Sequence, residues 1–123
     1  MTKVNGKASR DGFFATCKRE YSDVNIARLG TVRLRTISER ERSVMQIAAT
    51  EGKGTPAERA SLFKAHLIAS CVVDPQNNLM FSLENGDLDK LQDMDTRVAT
   101  ALGSAIIDFC GLADEAIEEA EKN

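Results

Sequence analysis

The sequence predicts an α+β fold: a small, mainly helical domain with two short β-hairpins, at about residues 24–37 and 71–81, and three to four helices, at about 38–50, 55–70 and 87–110. Three observations carry this expectation. Val24 and Ile26, then Val32 and Leu34 alternating with Arg33 and Arg35, have the period of two that a half-buried strand requires. Ser38-Glu39-Arg40-Glu41 and Thr55-Pro56-Ala57-Glu58 each place a hydroxyl three residues before a carboxylate, the pattern that satisfies the orphan amides of a helix start. Asp74-Pro75-Gln76-Asn77-Asn78 is a run of turn formers between two short apolar stretches.

Taken in order, residues 1–20 lack a sustained period and read as a loosely ordered N-terminal arm, with Phe13 and Phe14 as candidates to anchor it on a core. The first hairpin turns around Leu29-Gly30-Thr31, where glycine tolerates positive φ, and has one apolar face and one arginine face. The helix begun at Ser38 runs to about Thr50, with Val44, Ile47 and Ala48 as its apolar stripe, and Gly52-Lys53-Gly54 ends it. The next helix starts with Pro56 in its first position, where the missing N–H costs nothing, and runs to about Ser70. Ala60, Phe63, Leu67 and Cys71 lie on one side of it, and Leu62 points nearly the opposite way.

Cys71-Val72-Val73 and Leu79-Met80-Phe81, on either side of the turn formers, read as the second hairpin. After Asn85-Gly86-Asp87, a helical period joins Leu88, Leu91, Met94, Val98, Leu102, Ala105 and Phe109 up to Gly111. Asp93 or Asp95 can cap a fresh helix within it, so one helix and two both fit, and Ile107 falls off the stripe. Residues 21–112 thus form a single α+β domain, followed by an acidic C-terminal extension at 113–123.

With 123 residues the chain is long enough for one core without disulfide or metal support. Its 16 basic residues against 19 acidic ones, a net charge of −3, provide no global positive field for a polyanion. No run approaches the roughly 20 apolar residues that span a bilayer, and the charges between Lys3 and Arg10 do not suit a signal peptide. The expectation is a protein that is not secreted, with neither nucleic acid nor membrane as its partner.

Few residues point to chemistry. Cys17, Cys71 and Cys110 are far apart and odd in number, suggesting neither a zinc site nor a disulfide framework; Cys71 and Cys110 sit in apolar patterns as small hydrophobes. His66 is the one histidine and has no evident partner in its segment. Glu84, Asp87, Asp89, Asp93 and Asp95 lack the spacing of a calcium loop and read as caps and a solvated face. Arg28, Arg33, Arg35, Arg40 and Arg42 gather near the first hairpin, but Glu39 and Glu41 interleave with them and no aromatic platform accompanies them. The helices at 38–50 and 55–70 superficially suit a helix-turn-helix, although the second offers mostly alanine where base-reading groups belong. No catalytic, cofactor-binding or metal residue is named, and no enzymatic activity is expected.

Leu62 and Ile107 are the candidate association residues, because a second apolar face fits either sheet contact on both sides or contact with another chain. Arg33 and Arg35 join them, since a basic hairpin and acidic stretches beyond Glu84 suit subunits that meet head to tail.

The order of these elements carries a family resemblance over roughly residues 20–112. DVNIARLGTVRLRTISERER, then RASLFKAHLIASCVVDPQNNLMFS, then DLDKLQDMDTRVATALGSAIIDFCGL resembles the tail assembly chaperones of long-tailed, siphovirus-like bacteriophages. Ile37-Ser38-Glu39-Arg40-Glu41-Arg42 matches the family's charged helix start, Val72-Val73-Asp74 with Asn78 and Phe81 its helix-to-hairpin passage, and Gly111-Leu112 its closing helix end. The resemblance implies a non-enzymatic, cofactor-free protein of the bacterial host cytoplasm. Such a protein binds and solubilises the tape-measure protein, helps recruit the tail-tube protein, and is absent from the mature virion. It also implies a homo-oligomer and a second, frameshift-extended form of the chain, for which codons of Glu121-Lys122-Asn123 can supply a slippery site. The alternatives are another phage morphogenesis protein, such as a head-tail connector or tail terminator, and a small DNA-binding regulator.

Overall fold

The computed structural model describes residues 7–51 and 54–112, and the structure below is that of those residues. They form helix α1 (Arg10–Thr16), strands β1 (Tyr21–Ile26) and β2 (Gly30–Arg35), helices α2 (Glu39–Thr50) and α3 (Pro56–Cys71), and strand β3 (Val72–Val73). A 3₁₀ turn (Leu83–Asn85) then leads to α4 (Asp87–Gln92) and α5 (Thr96–Cys110). The fold is α+β, with one three-stranded antiparallel sheet in the order β1-β2-β3.

Both expected capping boxes are present. Ser38 Oγ accepts the Glu41 N–H at 3.1 Å while the Glu41 carboxylate accepts the Ser38 N–H at 2.7 Å. Thr55 and Glu58 repeat the exchange at the start of α3. The region beyond Gly86 is two helices, because the Asp95 carboxylate accepts the Arg97 N–H at 2.8 Å and restarts the chain as α5. At the end of α5, Gly111 takes φ 69°. Its N–H reaches Asp108 O, and the N–H of Leu112 reaches Ile107 O at 2.9 Å. That pair of bonds satisfies the last carbonyls of the helix and requires the left-handed residue that glycine supplies most readily.

The two expected hairpins merge into one sheet. β3 pairs with β2 at Arg33↔Val73 and Leu34↔Val72, and the return strand at Leu79-Met80-Phe81 is reduced to a bridge between Val73 and Leu79. The turn between them is held by Asp74, whose carboxylate accepts the N–H groups of Gln76 and Asn78 at 2.8 and 3.0 Å. Asn77 sits in the left-handed region with φ 68°. On the inner face, Ile26, Val32, Leu34 and Val72 join the core formed with α2, α3, α4 and α5. On the outer face, Asp23, Arg33 and Val73 lie in one cross-strand row.

Several expectations are corrected. The stripe of α2 is Met45 and Ala49, which are buried, while Val44 and Ile47 are 62% and 53% exposed. The reason is polar: Glu41 faces β2, where it meets Arg35 at 3.1 Å, and residues four and eight positions later share its face. Ile107 is a core residue at 7% exposure. Helix α5 packs on α3 and also on β1 and β2, so two adjoining faces of it are covered. Leu62 is half-buried, because α3 is flanked by α2, α4 and α5. Neither residue forms an exposed second apolar face.

In the arm expected to be loosely ordered, residues 10–16 form α1, with the Ser9 hydroxyl accepting the Gly12 N–H at 3.0 Å. Phe13 and Phe14 are not anchored on the core; they are more than half exposed and meet each other edge to face. The chain is tied back just afterwards, where Arg19 donates to Thr36 O at 2.7 Å and pairs with Glu41 at 3.0 Å. Residues 1–6 of the arm, Gly52-Lys53, and the acidic extension at 113–123 lie outside the described residues.

Candidate partner-binding groove

An apolar concavity arises because β3 is shorter than β2. β3 ends at Val73, opposite Arg33, so Thr31 and Val32 of β2 have no strand partner on that side among the described residues. The chain swings away there through Pro75 and returns at Met80 and Phe81, leaving an open groove of about 590 Å³. Val32 and Val72 of the sheet, Ile68 of α3, Leu91 of α4 and Leu102 of α5 give it an apolar floor. Leu29 at the hairpin turn and Met80 opposite stand at its mouth, each 50% exposed, and Met94 completes the wall.

The groove's charge is confined to its rim. Asp23 and Arg33 pair there at 3.1 Å, and Arg33 also lies over the Tyr21 ring at 5.6 Å. With its charges neutralised in place, the lining presents mainly aliphatic, proline, phenylalanine and thioether surface. Methionine side chains are unbranched and polarizable, so a lining that includes Met80 and Met94 adapts to irregular apolar partners. Such a surface recognises shape and apolarity, as a groove for an amphipathic helix does.

The residues named from sequence fall in different places. Arg33 is at the groove rim. Arg35 is an internal tie: its Nε donates to Ser70 O at 2.7 Å and its guanidinium pairs with Glu41, with only 15% of the side chain exposed. Arg42 pairs with Glu39 at 2.6 Å, so three of the five clustered arginines are engaged with carboxylates rather than arrayed toward solvent. Leu62 and Ile107 lie outside the groove lining. The acidic stretch supplies caps: Asp95 starts α5, and Asp87 accepts the Ser82 N–H at 2.7 Å. His66 is half-buried, and loss of solvent lowers its pKa from the ordinary imidazole value.

Leu29, Met80 and Met94 escaped sequence reasoning as a site. Their only local signal is a large apolar residue beside a turn, and the groove joins segments from both hairpins and three helices. A second pairing was also missed. Cys71 and Cys110 end α3 and α5, and their sulfurs lie 3.9 Å apart.

The fold and the groove define a small α+β domain with an apolar concavity at an open sheet edge. No protein-family model, curated protein or solved structure matches the chain. No helix among the described residues is long and apolar enough to cross a membrane.

Proposed function

We propose that this protein is a tail assembly chaperone of a long-tailed bacteriophage, which binds helical segments of the tape-measure protein and keeps them soluble until tail-tube subunits assemble. The observation that carries the reading is the apolar groove with Leu29 and Met80 exposed at its mouth. A tape-measure protein is a long helical rod whose apolar stripe is uncovered before the tube surrounds it. An amphipathic helix would place apolar residues at helical spacing against Leu29, Met80 and Met94 while its polar face stays in water. The paired Asp23 and Arg33 on the rim would offer polar contacts without favouring one sign of charge.

Recruitment of tail-tube protein, homo-oligomerisation along the rod, a frameshift-extended partner chain, residence in the host cytoplasm and absence from the finished virion belong to the same proposal. The sequence resemblance over residues 20–112 supports them, as does the small size of a domain suited to repeat along a filament. The test is co-expression with the long coiled-coil protein encoded just downstream. A soluble complex of the two chains is expected. A tape-measure chain that stays insoluble and forms no complex overturns the proposal.

A further inference from the structure

Two helices end at one place. Cys71 is the last residue of α3 and Cys110 the last of α5. Arg35 joins these ends to the sheet: its Nε donates to Ser70 O at 2.7 Å, and its backbone carbonyl accepts the Cys110 thiol at 3.6 Å. This places Cys71 Sγ and Cys110 Sγ 3.9 Å apart, with Cys71 fully buried and Cys110 partly open to solvent. A disulfide needs the sulfurs to close by about 2 Å, a distance that side-chain rotation can cover when both thiols already face each other.

We propose that Cys71 and Cys110 are a reversible dithiol–disulfide site, oxidised by hydrogen peroxide and restored by a small thiol reductant. Cys110 is the sulfur that solvent reaches, and it is the first to react. Its thiolate attacks one peroxide oxygen, the O–O bond breaks, and hydroxide leaves, so Cys110 becomes a sulfenic acid. The Cys71 sulfur then attacks the Cys110 sulfur and the S–O bond breaks. The departing hydroxide takes a proton and leaves as water. In total the two thiols lose two protons and two electrons, and one peroxide becomes two waters. Reduction runs by thiol–disulfide exchange through a mixed disulfide, first at the more open sulfur.

The electrostatics agree with this order. A hydrogen bond from Cys71 and the Ile37 N–H favour the Cys110 thiolate despite partial burial and lower its pKa, whereas the bond to Cys110 and burial raise that of Cys71. Lower pKa and greater access belong to the same sulfur, as they do in reactive cysteines generally. Cys17 is exposed and lies on the segment after α1.

The experiment uses the full chain carrying Cys17→Ser, treated with a small excess of hydrogen peroxide under native conditions. Peptide mass spectrometry without reductant should show Cys71 linked to Cys110 in a monomeric chain that has lost two hydrogens, and dithiothreitol should return both thiols. The unfolding midpoint of the oxidised chain should rise by about 10 °C, as expected for a cross-link between distant positions. Cys110→Ser should abolish the link and leave Cys71 unreactive in the folded state. The proposal is overturned if the treated, folded Cys17→Ser chain still yields two alkylatable thiols. It is equally overturned if Cys110 advances to sulfinic acid without linking, or if only cross-links between chains form.

Discussion

Arg33 Nε donates to Asn77 Oδ1 at 2.6 Å, tying the middle strand to a turn residue 44 positions away. Asn77 holds a left-handed backbone, and its side chain is the acceptor that lets the turn lie against β2. Because this turn forms one lip of the groove, the bond also sets where β3 gives way to the opening.

Asn77→Ala should therefore cost about 1–2 kcal/mol, through the strained φ and the lost charge-assisted bond. Asn77→Gly should cost less, since glycine removes the strain but not the loss of the bond. Urea unfolding of the three chains measures the difference, and equal stability of Ala and Gly variants would contradict it.

Acidification should weaken the fold in two steps. Loss of solvent lowers the pKa of His66 below its ordinary 6.5, so the unfolded chain binds the proton more readily. The stability this contributes is present above pH 6.5 and lost as pH falls through the lower folded value. Burial alone would raise the Glu41 carboxyl, but the Ser38 N–H and the Arg19 and Arg35 guanidinium groups outweigh it and hold it below 4.5. Its contribution is present above 4.5 and lost below, by the same sign. Glu41→Gln should cost about 1–2 kcal/mol at neutral pH and flatten the acid limb. His66→Gln should flatten only the limb near neutrality. Unfolding midpoints from pH 3 to 8 separate the two.

At the groove, Leu29→Asp and Met80→Asp alter side chains that are half exposed, so the domain should stay folded by circular dichroism. On the proposed function, each should weaken capture of the tape-measure chain about tenfold, the scale of an anchoring apolar contact. Full capture by both folded variants would move the partner away from this groove.

Ile107→Asp should unfold the domain, because an unpaired carboxylate in the core costs several kcal/mol, a large part of the whole stability. Ile107→Ala should cost about 2–4 kcal/mol. Leu62→Asp, at a half-buried site, should cost less than either. Chemical denaturation with light scattering checks this; a folded Ile107→Asp chain with only an altered assembly state would restore Ile107 as a surface contact.

Helix starts, the first hairpin and the turn at Asp74 were legible in the residues because each depends on neighbours three to five positions apart. Ser38 with Glu41, Thr55 with Glu58, and Asp74 with Asn78 complete their hydrogen bonds within the segment that carries them. Gly111 is of the same kind, a residue whose missing side chain permits the helix to end. Helix rotation was less legible. Val44 and Ile47 are the β-branched hydrophobes of α2, yet the pairing of Glu41 with Arg35 turns Met45 and Ala49 inward instead.

By itself, then, the sequence determined an α+β order of elements, their caps and their turns, since those follow from local backbone chemistry. Only the tertiary structure decided that two hairpins share one sheet and that Ile107 is internal. It alone decided that β2 outruns β3 to open a groove, and that Cys71 meets Cys110. Each of these depends on contacts between residues far apart in the chain, whose partners the spacing of apolar and charged residues within one segment does not encode.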